Sequence, residues 1–504
     1  MVALLRFASR CGAAMPVVKA VVRAQHSAAT AFALGLAGDA HKKKLMSPLN
    51  PFEVQSGCLL PGLPASEFQR RREKLFEVLP NNSAIIINAA ETKYMTHDIP
   101  YEFRQNSNFL YLTGLEEPDA HAVLLKTQDK CSFILFTRPR DAHRDVGCDI
   151  VFSEQWDGAR IGLNGAVDRY HADDAYQLTD LQPALHKILS GLDQVFVMSP
   201  EGGKYQAAFL DATRSFHDKF FAGNFFVEQL RVVKSEYELD RMRYAADVGV
   251  GGFLEMMKNT RAGMTELALA SYFEASCKRN GALWNSFPNV VGSGANAAVI
   301  HYLSKRNLLH NDELVLVDSG CEVAGGYVSD ITRTWPVGGT LSKAQRDLYE
   351  FTLEIQKHCL AHLRHQIASK QPISLDQLHD FSVKLMIDGM QEFGILKRNA
   401  VSKGFNRSVM AEFQKYNPTH IGHYLGMDVH DTPHITRSAA LQPGMVITVE
   451  PGIYLPKNDQ SIPEEFRGIG IRIEDDVIIT ESGIEVITKE LPKELDAMEA
   501  LRTA

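Results

Sequence analysis

Leu314-Val315-Leu316-Val317-Asp318-Ser319-Gly320 is an apolar strand that ends in an acid and a turn residue. A second acid opens Asp330-Ile331-Thr332-Arg333-Thr334, and Ala324-Gly325-Gly326 between the two has the composition of a hairpin turn. Two strands facing each other across that turn bring Asp318 and Asp330 onto one face, close enough to share cations. Taken alone the pair reads as strand-end acids in water, so the rest of the chain decides.

Three downstream segments change the balance. His420-Ile421-Gly422-His423-Tyr424-Leu425-Gly426-Met427-Asp428-Val429-His430-Asp431 sets three histidines among glycines that permit close backbone approach. Pro443-Gly444-Met445-Val446-Ile447-Thr448-Val449-Glu450-Pro451-Gly452 is again an apolar strand ending in a carboxylate. In Gly468-Ile469-Gly470-Ile471-Arg472-Ile473-Glu474-Asp475-Asp476, strand alternation puts Arg472 and Glu474 on one face and Ile471 and Ile473 on the other. A charged pair facing a sheet interior must be ion-paired or metal-bound, because an uncompensated buried charge is costly. Asp318, Asp330, His423, Glu450 and Glu474 together give four carboxylates and one imidazole. Such a cluster repels itself unless cations neutralise it, and two divalent ions suffice. Oxygen-rich donors with one histidine favour Mn²⁺ over the sulfur- and nitrogen-rich sites of zinc, with Co²⁺, Zn²⁺ and Fe²⁺ as alternatives.

Around this core the chain reads as α/β. Ser66–Leu79 is expected to be a helix, Ser83–Ala89 a buried strand, and Ala122–Leu125 and Ser132–Thr137 further strands. Tyr205–Phe220 is expected to be helical. A boundary falls near Arg231, followed by a capping box at Ser235-Glu236-Tyr237-Glu238 and a helix through Met257. Leu239, Met242, Ala246 and Val250 fit one apolar face of it. Thr265–Arg279 reads as another helix. Beyond it strand-like segments dominate: Glu313–Asp318, Gly326–Thr334, Val446–Tyr454 and Ile469–Thr480. Gly292-Ser293-Gly294-Ala295-Asn296-Ala297 matches a dinucleotide-binding fingerprint, but that requires a helix directly after the glycines, whereas Val299-Ile300-His301-Tyr302 reads as extended.

Composition sets outer bounds. The 504 residues are 45% apolar and 23% charged, which is globular composition and room for two to four domains. A net charge of −8 argues against a nucleic-acid partner. The seven cysteines are scattered, with no CxxC pair, which argues against a disulfide scaffold or zinc ribbon. No window is apolar enough for a transmembrane helix. Arg6, Arg10, Lys19 and Arg23 lie among apolar and small residues, with no acid before Asp39. That pattern reads as a mitochondrial transit peptide. The expected organisation is therefore a leader over 1–45, an N-terminal domain over 46–230 and a catalytic domain over 231–504.

The order Asp, Asp, His, Glu, Glu on strand ends resembles the pita-bread metallopeptidases, a family that includes methionine aminopeptidase, prolidase and aminopeptidase P. The motifs VDSG, SDITRTWP, HYLGMDVHD, VEPGIY and GIRIEDD carry the match over roughly 231–500. Phe103-Arg104-Gln105-Asn106-Ser107-Asn108-Phe109-Leu110-Tyr111-Leu112-Thr113-Gly114 resembles a signature of the aminopeptidase P N-terminal domain, and Arg333 and Trp335 also suit that branch, in its mitochondrial form. The resemblance implies a creatinase-like α/β domain followed by a pita-bread domain with a curved antiparallel sheet. It implies that Asp330 and Glu474 bridge two ions, that Asp318 completes one shell, and that His423 and Glu450 complete the other. It further implies that Glu450 shuttles a proton, that His301 and His430 hydrogen-bond the substrate carbonyl, that Arg472 orients carboxylates, and that Phe287 lines the substrate where relatives often carry Tyr. Arg160 is a weaker candidate to reach the site. Thr419 stands where many relatives have a histidine, and the adjacent His420 is expected to point elsewhere.

The implied function is release of the N-terminal residue from peptides with proline in second position, by a homodimer in the mitochondrial matrix, with an additional cytosolic pool left open. Prolidase, confined to Xaa-Pro dipeptides, is the nearest alternative. A non-catalytic binding protein on the same scaffold is the alternative of a different class, and it would be expected to have lost ligands.

Overall fold

A computed structural model describes residues 50–141, 154–198, 204–397 and 407–503. The leader expected over 1–45 lies outside the described residues. The described chain divides into two compact units. One is Glu53–Val232 together with Thr432–Ile435; the other comprises residues 50–52, Val233–Asp431 and Thr436 onward.

The first unit is built on a six-stranded mixed sheet. Its strands are β1 (Ser83–Asn88), β2 (His121–Lys126), β3 (Cys131–Thr137), β4 (Asp174–Gln177), β5 (Gln194–Val197) and β6 (Phe220–Ala222), in the order β4-β3-β2-β1-β5-β6. β1 pairs antiparallel with β2 and parallel with β5. Held on both sides, it can be an unbroken apolar run, and Ile85, Ile86 and Ile87 are all buried. One face packs on Leu181, Leu185 and Leu189, spaced along a single stripe of α1 (Leu181–Leu189). The segment expected to be helical over Tyr205–Phe220 divides instead. An α-helix covers Lys204–Thr213, a 3₁₀ turn follows over Arg214–Lys219, and Phe220 enters edge strand β6. The signature ending at Gly114 forms a short helix, Ser107–Thr113, with Asn106 as N-cap and Gly114 as its left-handed C-cap at φ 70°.

The second unit opens with α2 (Glu236–Asn259), whose capping box joins Ser235 and Glu238 as the sequence predicts. α3 (Glu266–Arg279) packs against it, with the Phe253 and Phe273 rings edge-on at 5.5 Å. Short antiparallel ladders follow. β7 (Ala282–Asn285) pairs with β10 (Cys321–Val323), which pairs with β11 (Tyr327–Val328). β8 (Val290–Ser293) pairs with β9 (Leu314–Ser319), which pairs with β12 (Ile331–Pro336). β13 (Val446–Val449), β16 (Asp475–Thr480) and β17 (Gly483–Val486) form a third ladder, and β14 (Gly452–Tyr454) with β15 (Gly470–Arg472) a fourth. The hairpin expected at Ala324–Gly326 is present, with Gly325 and Gly326 at φ 95° and 84°. At Gly320 the two arms come so close that an added Cβ would lie 1.8 Å from the Ser329 carbonyl oxygen, so only glycine fits.

Two differences from the expected elements matter. The segment between the early and late strands holds two long helices, Lys343–Ala368 and Leu375–Glu392, where strands were expected to dominate. The three strands expected over Gly326–Thr334, Val446–Tyr454 and Ile469–Thr480 are each interrupted, at Ser329–Asp330, Glu450–Pro451 and Ile473–Glu474. Each interruption contains an acid of the candidate metal site. After the fingerprint glycines there is one 3₁₀ turn, Gly294–Ala298, followed by a bend and turn over 299–301 where an extended segment was expected; no α-helix follows, in keeping with the rejection of a dinucleotide site.

Candidate metal centre

The breaks in the ladders aim the acids. A carboxylate in a regular strand alternates with its neighbours, but at a break the backbone takes its hydrogen bond from another segment and the side chain is re-aimed. The Glu474 amide donates to Thr332 O at 3.1 Å, and the Glu450 amide to Ile421 O at 2.9 Å. The Asp330 amide donates to Asp476 Oδ2 at 3.1 Å. His423 is placed by its amide donating to Thr448 Oγ1 at 3.1 Å, and Gly422 makes the approach feasible, since a Cβ there would lie 2.1 Å from Thr448 O.

These constraints converge. Ligand atoms of Asp330, His423 and Glu474 all lie within 4.8 Å of one another. His423 Nε2 is 3.3 Å from Asp330 Oδ2 and 3.4 Å from Glu450 Oε1. His423 Nδ1 is 3.1 Å from Tyr424 O, which fixes the ring with Nε2 toward the carboxylates. Asp318 and Glu450 stand just outside the tightest group. Asp318 is held by Arg472 Nη2 at 2.5 Å, and Glu450 accepts from Thr448 Oγ1 at 3.2 Å. Arg472 also donates to Tyr454 Oη at 2.7 Å and to Thr332 Oγ1 at 2.9 Å, and Thr332 donates to Glu474 Oε2 at 2.6 Å. Thr332 is the cross-strand partner of Asp318, so one guanidinium orients two acids at once.

The donor set fits cations. Asp318 Oδ1 and Glu474 Oε1 are buried and, among the described residues, lack a hydrogen-bond partner, an arrangement that costs energy unless something binds them. Burial, with repulsion from Asp330 and Glu450 working against the Arg472 charge, pushes the Asp318 carboxyl up to about 7. Burial and the neighbouring acids also raise Glu474 and Glu450. Burial alone would lower His423, but Asp330 and Glu450 overcome it and hold the imidazolium up to about 9. A divalent ion held by these residues would relieve both conditions, taking the place of the protons and neutralising the acids.

The other expected residues occupy varied positions. The His430 ring lies edge-on to His423 at 4.5 Å, and burial together with the His423 charge lowers its pKa. His301 is exposed, on the loop after Gly294–Ala298, and its charge also bears on His430. Phe287 is half-buried in the turn between β7 and β8. His420 turns away, stacking on His379 at 4.2 Å with Nδ1 3.0 Å from Gly422 O. Arg160 pairs within the first unit, at 3.3 Å from Asp141 Oδ1.

Sequence reasoning missed an interior network behind the centre. Asp475 is fully buried against Arg333 at 2.7 Å, Lys493 at 2.5 Å, Gln356 at 2.7 Å and Thr488 at 2.9 Å. Despite burial, the two cations hold its carboxyl well below the usual range. Asp476, next along, is raised by burial and by Asp330. The run of three acids Glu474-Asp475-Asp476 marks the place in the sequence, but nothing in it tells a buried acid from a solvated one.

Residues 240–481 match the family model "Metallopeptidase family M24", and residues 68–197 match "Aminopeptidase P, N-terminal domain". The chain is 36% identical to human Xaa-Pro aminopeptidase 3, over 90% of this chain and 89% of that protein. It is 37% identical to the mitochondrial intermediate cleaving peptidase 55 of Arabidopsis thaliana, over 90% and 86%. Among solved structures, aminopeptidase P from E. coli superposes with a TM-score of 0.77 at 33% identity, covering 88% of this chain and 98% of that one. With its donor set, its N-terminal sheet unit and its antiparallel catalytic fold, the chain belongs to the M24 metallopeptidases, in their aminopeptidase P branch.

Proposed function

We propose that this chain is an Xaa-Pro aminopeptidase, releasing the first residue of peptides that carry proline in second position, with two divalent cations held by Asp318, Asp330, His423, Glu450 and Glu474. The observation that carries the reading is the meeting of Asp330, His423 and Glu474 beside two buried, partnerless carboxylate oxygens, in a chain so similar to Xaa-Pro aminopeptidases. Bound there, the cations supply a water activated at neutral pH and polarisation of the scissile carbonyl. Asp330 and Glu474 would serve as the shared ligands, with Asp318, His423 and Glu450 completing the donor set. The oxygen-rich set favours Mn²⁺.

Glu450 takes the proton of the attacking water and passes it to the leaving nitrogen, the general acid–base role open to a carboxylate at that place. His301 and His430 donate hydrogen bonds to the carbonyl oxygen as charge develops on it. Arg472 keeps Asp318 and, through Thr332, Glu474 in register. Phe287 supplies an apolar wall. The bond before proline is a tertiary amide without N–H, so a site fitted to the ring need satisfy no donor. The acid-free leader and the mitochondrial relative support a matrix location, and a homodimer is the expected assembly.

Matched peptides test the assignment. Ala-Pro-Ala is cleaved with added Mn²⁺ and Ala-Ala-Ala far more slowly. Cleavage confined to Ala-Pro would make the enzyme a prolidase, and no cleavage with any of several cations would reduce the five residues to a binding or structural role.

Cation uptake is also expected to release protons. His423 stays protonated up to about pH 9 and Asp318 up to about pH 7, and both must lose their protons to act as ligands. Apparent affinity therefore falls as pH drops below about 9, where the His423 proton must be displaced, and more steeply below about 7, where Asp318 carries one as well. Titration calorimetry in two buffers of different ionisation heat measures the release, and identical heats in both would contradict it.

A further inference from the structure

The loop that carries His301 is built more firmly than its exposure suggests. Glu266, the first residue of α3, is fully buried. Its Oε1 accepts from the Ser293 amide at 2.9 Å, from Ser293 Oγ at 2.9 Å and from Asn296 Nδ2 at 3.1 Å. Its Oε2 accepts from the Asn307 amide at 3.1 Å. One carboxylate thus ties both feet of the stretch between Ser293 and Asn307. Lys305, at φ 52°, adds a bond from Nζ to Asn289 O at 2.9 Å, and the Leu267 amide donates to Lys305 O at 3.1 Å.

Within that clamp, neighbouring side chains point opposite ways. Ile300 and Tyr302 pack inward on Val290, Ala297, Leu316 and Tyr454. Leu316 is two residues before Asp318, and Tyr454 is bonded to Arg472, so the inner face of the loop rests on the back of the metal centre. Val299 and Leu303, two positions either side of His301, are each 51% exposed. Apolar side chains held outward on a loop clamped in this way lose little entropy on covering a ligand and gain the transfer energy of their apolar surface.

We propose that Val299 and Leu303 form an apolar subsite that binds the side chain of the third residue of the peptide, on a wall that Glu266 holds preformed. This rests on the aminopeptidase reading above, in which His301 meets the carbonyl of the scissile bond. The residue after the proline lies two positions beyond that carbonyl, and the exposed side chains on both sides of His301 are the apolar surface on offer to it. Both flanks are apolar, so the enzyme would discriminate among peptides by the residue after the proline. Glu266 is a positioning residue in this account, since it reaches the substrate only through the loop.

Both subsite residues are exposed, so substituting them does not threaten folding. The test compares kcat/KM for Ala-Pro-Leu and Ala-Pro-Gly in the wild type and in the Val299→Ser/Leu303→Ser double variant, with the cation saturating. The wild type is expected to favour the leucine peptide by about tenfold, carried in KM, which is what half-burying a leucine side chain provides. In the variant the ratio should fall below about twofold, with kcat for the two peptides remaining equal. A wild type without the preference, or a variant that keeps it, overturns the assignment. An unchanged ratio with a smaller assembly by light scattering would give the patch to a second copy of the chain, which also overturns it. Failure of the wild type to cleave either peptide would instead remove the aminopeptidase reading, and this inference with it.

Discussion

Asp330→Ala lowers kcat/KM on Ala-Pro-Ala by about three orders of magnitude, equivalent to about 4 kcal/mol of lost transition-state stabilisation. Asp330 touches His423, is backed by Asp476 and sits in the tight group with Glu474, so its loss removes the proposed shared ligand and frees an imidazole. The same substitution should abolish the rise in melting temperature that Mn²⁺ gives the wild type, because a ligand that binds only the folded state stabilises it by mass action. Following both readouts separates a ligand from a structural acid. A variant that loses activity but keeps the cation-dependent stabilisation would assign Asp330 to the chemistry and not to the metal.

Asp475→Asn is expected to destabilise the second unit by about 3–5 kcal/mol, the cost of breaking a buried pair and leaving the other charge uncompensated. Arg333 and Asp475 are both fully buried, and Lys493 would be left beside Arg333 with no anion between them. The drop should appear as a thermal shift of about 10 °C. The sign with pH comes from the depressed carboxyl. The stability it contributes is complete above the unfolded value of about 3.9 and is lost as pH falls below it toward the folded value. The wild type should therefore approach the variant in stability only in strong acid. Equal melting temperatures at pH 7 would mean that the pair is not what holds these strands behind the metal site.

Much of the candidate site was legible because three of its four acids close a strand-like run. Asp318, Glu450 and Glu474 follow Val-Leu-Val, Ile-Thr-Val and Ile-Arg-Ile in the direct reading of the chain, and buried acids need partners. At Glu450 the sequence marks the break, with Pro451-Gly452 directly after it, but at Glu474 the alternation runs straight through. The backbone bonds made at the breaks, to Asp476, Ile421 and Thr332, are supplied only by tertiary structure. The helices over Lys343–Ala368 and Leu375–Glu392 had a readable signal that went unused. Ser342 with Gln345 and Ser374 with Gln377 are capping boxes in the sequence as well as in the structure. The Arg333–Asp475–Lys493 network was out of reach, because its members lie far apart in the chain and nothing local distinguishes a buried charge from a solvated one.

The measurement that bears most directly on the account is the metal content of the purified protein after loading with Mn²⁺ and removal of free ion, read by elemental analysis alongside peptide hydrolysis. The donor set predicts two ions per chain, with activity rising as the sites fill and fewer ions retained by Asp330→Ala. Full activity on Ala-Pro-Ala with no bound cation would contradict the central claim, and so would two ions per chain retained unchanged by the variant.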